Sequence, residues 1–109
     1  MKKEREIDFM KRVWAAKFGE IGYCEECALH GITTYIPFSP YHIAHINSKG
    51  ARPDLRTVDD NVLFLCKNHH NQMDAKFEGK TREDLLIFPR IEEILIKYKN
   101  LKTWRGIPQ

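Results

Sequence analysis

Two short spacings in this chain have the form of metal chelates. Cys24-Glu-Glu-Cys27 places two thiols three positions apart, and Cys66-Lys-Asn-His69 places a thiol and an imidazole at the same separation. Ligands three apart can hold one ion from a single tight turn, and thiolate with imidazole is the donor set of a closed tetrahedral zinc site. The two pairs use every cysteine in the chain. An odd number of cysteines argues against a closed disulfide framework and for reduced thiols bound to metal. The spacing predicts a structural Zn²⁺ on Cys24, Cys27, Cys66 and His69. Residues 28–65 separate the pairs, more than in a minimal finger, so the ion closes the base of an inserted substructure.

A second polar set remains. His42 and His45 precede a long polar loop, residues 47–60 (NSKGARPDLRTVDD), and Asn61 stands where that loop returns. His70 and Asp74 follow Cys66 at a spacing of four, which puts them on one helix face, with His69 rotated by roughly 100°. One helix can thus give His69 to zinc and His70 to a separate site. Lys49, Arg52 and Arg56 make the loop basic. Phosphodiester hydrolysis needs a base to activate water and a cation to stabilise developing charge. A histidine near its ordinary pKa of ~6.5 is substantially neutral at physiological pH and can take the proton. His30 has no partner at ligand spacing and reads as incidental.

The elements that must position these groups read as α+β in one domain spanning 1–109. Residues 4–18 read as a helix, with Ile7, Met10, Val13, Trp14 and Phe18 on one face, ended by Gly19 and Gly22. A β-rich stretch covers Ile32 to Phe38 and, after Pro40, Tyr41 to Ile46. Val62 to Leu65 is an apolar strand running into Cys66, and a helix follows over about Lys67 to Phe77. Thr81 with Asp84 looks like a capping pair opening a second helical segment. Pro89 kinks or restarts that segment, and Ile91, Ile94, Leu95, Tyr98 and Leu101 form its apolar stripe. The expected plan is a β-hairpin and a helix flanked by terminal helices at about 4–18 and 81–101.

Composition sets wider bounds. With 18 basic and 15 acidic residues the net charge is +3, which permits a nucleic-acid partner without demonstrating one. No apolar run approaches the ~18 residues of a membrane span. Met1 is followed by Lys2, Lys3, Glu4, Arg5 and an amphipathic segment, the start of a cytoplasmic rather than an exported protein.

The ordered set CEEC, AHINSKGA, DNVLFLC and CKNHH resembles the HNH nucleases of ββα-metal architecture, closest to small phage and prophage members with a zinc-knuckle pair. The resemblance covers about Cys24 to Asp74, and the motif core runs to about residue 78. It implies a metal-dependent DNA endonuclease with His45 as general base, Asn61 as the middle asparagine bracing the loop, and His70 as helix ligand of a catalytic divalent cation. That cation is Mg²⁺ by expectation, with Mn²⁺ or another divalent metal also fitting. Asp74 falls where many members carry a second helix ligand. Lys49, Arg52 and Arg56 become the expected DNA contacts, and phage recombination or packaging proteins the expected company. One position departs from the pattern. Many members place Asp or His immediately before the base, and this chain has Ala44. His42 is the candidate substitute, although on a regular strand positions 42 and 45 point to opposite faces, so it requires a bend at Ala44. The alternative function is a catalytically weak or inactive zinc-stabilised DNA-binding accessory module.

Overall fold

Helix α1 (Glu6–Phe18) buries Phe9, Met10, Val13 and Trp14. Its buried face is rotated from the expected one: Phe9 takes the place of Ile7, which lies on the exposed side. The helix stops at Gly19, whose φ of 82° is left-handed and whose N–H bonds the Ala15 carbonyl. Gly22 is required for space. A Cβ there would lie 2.7 Å from the rings of both Trp14 and Phe18, closer than carbon atoms can pack. The structure is a computed structural model describing residues 4–74 and 79–99.

Strand β1 (Gly22–Tyr23) pairs antiparallel with β2 (Tyr35–Ile36). Between them the Cys24–Cys27 segment is a short helix, α2 (Glu25–Leu29), where a turn was expected. The β-rich stretch at 32–38 reduces to those two residues of β2. After a 3-10 turn at Pro40–His42 comes β3 (Ile43–His45), which pairs antiparallel with β4 (Val62–Phe64) in the register Ile43↔Phe64, Ala44↔Leu63, His45↔Val62. The intervening loop is tightened by 3-10 turns at Pro53–Leu55 and Asp59–Asn61. Helix α3 (Lys67–Met73) follows β4 and packs against β3. The expected extension of this helix over 75–77 lies outside the described residues.

The Thr81–Asp84 capping box forms, but it opens a 3-10 turn at Arg82–Asp84 instead of an α-helix. Pro89 restarts the chain as α4 (Phe88–Tyr98), with Pro in the first turn, where its missing N–H costs nothing. Ile91, Ile94 and Tyr98 are buried and Leu95 packs against them; Leu101 lies outside the described residues.

The β3–β4 hairpin is covered on both faces, which explains the unbroken apolar run from Val62 to Leu65. Ile43, Val62 and Phe64 face α1 in one cluster, whose centre is Trp14, edge-on to Phe18, Phe38 and Phe64 at centroid distances of 5.0, 5.6 and 5.5 Å. Ala44, Ile46, Leu63 and Leu65 face the opposite way, joining Cys24, Cys27, Met73 and the α4 residues in a second cluster. Each side chain of a strand commits to one face. Ala44 is fully buried on the face opposite His45, so a polar metal ligand at this position would be sunk in the core. This is an α+β fold with two short antiparallel sheets.

Candidate metal centre and adjoining cleft

Cys24 and Cys66 stand at the N-caps of α2 and α3, so the two chelating pairs are the first turns of two helices that meet. The Cys27 N–H donates to the Cys24 Sγ at 3.4 Å, folding the first pair onto itself. His69 presents Nδ1 to all three sulfurs, at 3.4 Å from Cys24, 3.5 Å from Cys27 and 3.4 Å from Cys66, and the Cys27 and Cys66 sulfurs are 4.0 Å apart. Tetrahedral zinc with Zn–S of ~2.3 Å and Zn–N of ~2.05 Å requires S···N of about 3.6 Å and S···S of about 3.8 Å. The quartet therefore fits a zinc-sized ion. Among the described residues it is also the only set of three or more His, Cys, Asp or Glu whose ligand atoms converge. Burial pushes the Cys24 thiol up to about 12, so a bare cluster holds protons that a metal must displace. Burial also lowers the pKa of His69, which keeps the ring neutral and able to ligate.

The two residues inside the Cys24–Cys27 pair do more than their sequence suggested. Glu26 is 1% exposed. Its carboxylate accepts the Leu86 N–H at 2.8 Å and the Ile87 N–H at 2.9 Å, groups at the start of α4 that the helix leaves without internal partners. His30 Nε2 bonds the same carboxylate at 2.8 Å, and its ring stacks on His69 with centroids 6.2 Å apart. His30 is thus part of the frame around the Cys3His quartet, correcting its reading as incidental. Glu25 accepts the Phe64 N–H on the free edge of β4 at 2.9 Å and pairs with Lys17 and Arg90, each at 3.3 Å. The available signal was the adjacency of two carboxylates to a buried metal pair, where charge needs partners.

Part of the second set, His45, His70 and Asp74, gathers beside α3. His45 and His70 are each fixed by a backbone carbonyl, through opposite ring nitrogens. His45 Nε2 donates to the Arg56 carbonyl at 3.0 Å, which leaves Nδ1 as the lone-pair nitrogen of the neutral ring. Burial lowers the pKa of His45; the Arg56 carbonyl and the Glu6 carboxylate offset this in part, the neighbouring Lys49 adds to it, and the net shift is downward, which keeps the ring neutral at physiological pH. His70 Nδ1 donates to the Tyr41 carbonyl, and Nε2 faces the Asp74 carboxylate at 3.5 Å. Two acceptors facing each other repel unless a proton or a cation lies between them. His45, His70, Asp74, Ser48 and Lys49 line one cleft of about 340 Å³. His70 and Asp74 also line a second, of about 420 Å³, with Ser39, His42, Lys67 and Asn71. No protein family, curated protein or solved structure matches this chain.

The remaining predicted site residues divide. Asn61 is fully buried and satisfied: its Oδ1 accepts the Asn47 N–H at 2.8 Å, and its Nδ2 donates to the carbonyls of Asn47 and Leu55 at 3.2 and 3.1 Å. It ties both limbs of the 47–60 loop, and that loop carries the Arg56 carbonyl that holds His45. Asn61 lines neither of the two clefts, and its observed contacts brace the loop. His42 lies in the 3-10 turn before β3, not on the strand, so no bend at Ala44 is involved. Its Nδ1 bonds the Pro37 carbonyl at 2.9 Å and its ring lines the second cleft, outside ligand convergence with His70 and Asp74. Lys49 is exposed and pairs with Glu6 at 2.9 Å; Arg56 is exposed. Arg52 is drawn inward: its guanidinium grips Asp54 at 2.7 and 2.8 Å and donates to the Tyr98 carbonyl at 2.6 Å, tying the loop to the end of α4.

Proposed function

We propose that this protein is a metal-dependent DNA endonuclease of the HNH type, with β3, β4 and α3 as a ββα-metal core and a structural zinc at the Cys3His quartet. The observation that carries this reading is the opposed tethering of two histidines in one cleft. A neutral His45 keeps an Nδ1 lone pair, and His70 turns Nε2 towards Asp74. His45 is the general base and takes a proton from the attacking water at Nδ1. The Arg56 carbonyl, already accepting from Nε2–H, steadies the imidazolium that forms. His70 and Asp74 would hold the divalent cation, Mg²⁺ by chemistry with waters completing its shell, and a cation there would stabilise charge on the scissile phosphate and leaving oxygen. Lys49 on the cleft wall favours the anionic strand. By the resemblance to the family, products carry 5′-phosphate and 3′-hydroxyl ends.

Supercoiled plasmid incubated with Mg²⁺, Mn²⁺, Ni²⁺ or Zn²⁺ tests the reading. The wild type should nick or linearise it only with added cation, and His45→Ala should lose about 10²- to 10⁴-fold in rate. Absence of cleavage with every cation, or equal cutting by His45→Ala, overturns it.

One observation favours the alternative of a DNA-binding accessory module with little or no activity. His70 and Asp74 have no third protein ligand among the described residues, and Ala44 faces the core. DNA binding with a steep salt dependence in a protein that never cuts would select this alternative.

A further inference from the structure

The turn that orients His70 also carries an aromatic ring with no part in the core. Tyr41 is 79% exposed, while its backbone is held on both sides. Its N–H donates to Ser39 Oγ at 3.2 Å, its carbonyl accepts from His70 Nδ1, and Pro40 starts the turn. An exposed tyrosine is ordinary on a mobile loop; here a rigid mount presents it. Tyr41 borders both clefts, which also share His70 and Asp74. Lys49 stands in one arm and Lys67 in the other. Each arm exceeds the ~300 Å³ at which concave sites begin to hold small organic molecules. The arrangement is two adjoining clefts that share Tyr41, His70 and Asp74, with Lys67 lining one and Lys49, paired with Glu6, lining the other.

We propose that Tyr41 is a stacking platform for an unpaired nucleobase next to the phosphate at His70 and Asp74, and that the arm lined by His42, Lys67 and Asn71 takes the strand beyond it. This rests on the cleft being a DNA site and deepens it by naming the substrate: DNA with an unpaired stretch at the cut. In a duplex each base face is covered by its neighbours, so a ring can stack only on a base whose face is open. Lys67 contacts the backbone as a point charge, and Tyr41 contributes contact area without charge. The two therefore differ in salt dependence.

The test is fluorescence anisotropy on the intact zinc-loaded protein without added divalent cation, so that binding is read apart from cleavage. The probes are an end-labelled single strand of about 20 nucleotides and the same sequence closed as a duplex. Tyr41→Ala should weaken single-strand binding about tenfold with an unchanged salt slope, and Tyr41→Phe should bind like the wild type. Lys67→Ala should reduce the single-strand salt slope by about 0.7. Duplex binding should change less than about threefold in Tyr41→Ala. Single-strand binding by Tyr41→Ala within about twofold of wild type, an equal loss on duplex, or a Tyr41→Phe as weak as Tyr41→Ala overturns the proposal and leaves the nuclease reading to the plasmid assay. The expected pattern in a protein that cuts nothing overturns the nuclease reading and keeps the platform. A wild type that binds neither probe overturns the proposal and leaves the nuclease reading to the plasmid assay.

Discussion

Glu26→Gln changes one atom's identity and almost no volume, so its effect isolates the carboxylate that joins the Cys24–Cys27 helix to the start of α4. In the wild type, one oxygen accepts the Ile87 N–H and the other accepts the Leu86 N–H and the His30 ring. The variant keeps an acceptor for only one side, and its new amide N–H₂ must face a backbone N–H on the other. With the better side retained, one charge-assisted bond is lost and a buried donor is left unmade, together about 2 kcal/mol or more. The two surviving bonds also weaken on losing the charge, which brings the total to about 3 kcal/mol. For a domain of this size that is a fall in Tm of roughly 12 °C. The assay is thermal unfolding by circular dichroism with zinc saturating and zinc content measured in parallel. The pH dependence gives a second handle. Burial alone would raise the pKa of Glu26, but the bonds from Leu86, His30 and Ile87 bring it below the ordinary carboxylate value. A depressed folded-state pKa means stability that is present above the unfolded value of ~4.5 and lost as pH falls through the folded one. The gap in Tm between wild type and variant should therefore narrow below pH ~4.5. A Tm within about 3 °C of wild type at neutral pH, with zinc retained, refutes the assignment of Glu26 as the clamp.

Metal analysis should find about one zinc per chain, and Cys66→Ser or chelation should unfold the domain, because ~10 kcal/mol of apparent metal-coupled folding energy matches the whole ~5–15 kcal/mol expected of such a fold; a folded, zinc-free Cys66→Ser protein refutes this. His45→Ala and His70→Ala should keep zinc and fold while losing cleavage, and raised cation concentration should partly restore His70→Ala alone; rescue of His45→Ala would reverse the assigned roles. The acid limb of the cleavage pH profile should fall below the ordinary histidine value of ~6.5, since burial depresses His45 and the base works deprotonated; a limb above pH ~7 contradicts that. Arg52→Ala should lower Tm by breaking the link from the loop to α4, whereas Arg56→Ala should leave Tm unchanged and reduce the salt slope of DNA binding by about one counterion; equal behaviour of the two arginines would show that the loop cations do not divide in this way.

The sequence by itself determined what depends on short separations. Chelation needs two ligands on one turn, so Cys24, Cys27, Cys66 and His69 announce a metal site before any fold is known, and the four-residue step puts His70 and Asp74 side by side. The apolar faces of α1 and α4 and the run in β4 are equally local, although the burial of Phe9 in place of Ile7, two positions away, shows that periodicity alone does not settle the edge of a face when both candidates are apolar. Extent was less legible: β2 is two residues long because strand pairing is settled by neighbours distant in the chain, whereas the start of α4 at Phe88 follows the local signal of Pro89. Chemistry was the least legible. Which nitrogen each histidine presents depends on carbonyls at Arg56 and Tyr41, 11 and 29 positions away. The inward turn of Arg52 depends on Tyr98, 46 positions away, and the burial of Glu26 depends on Leu86 and Ile87, 60 and 61 away. A side chain's type says which bonds it can make, and only the tertiary fold supplies the partner that decides which one it does make.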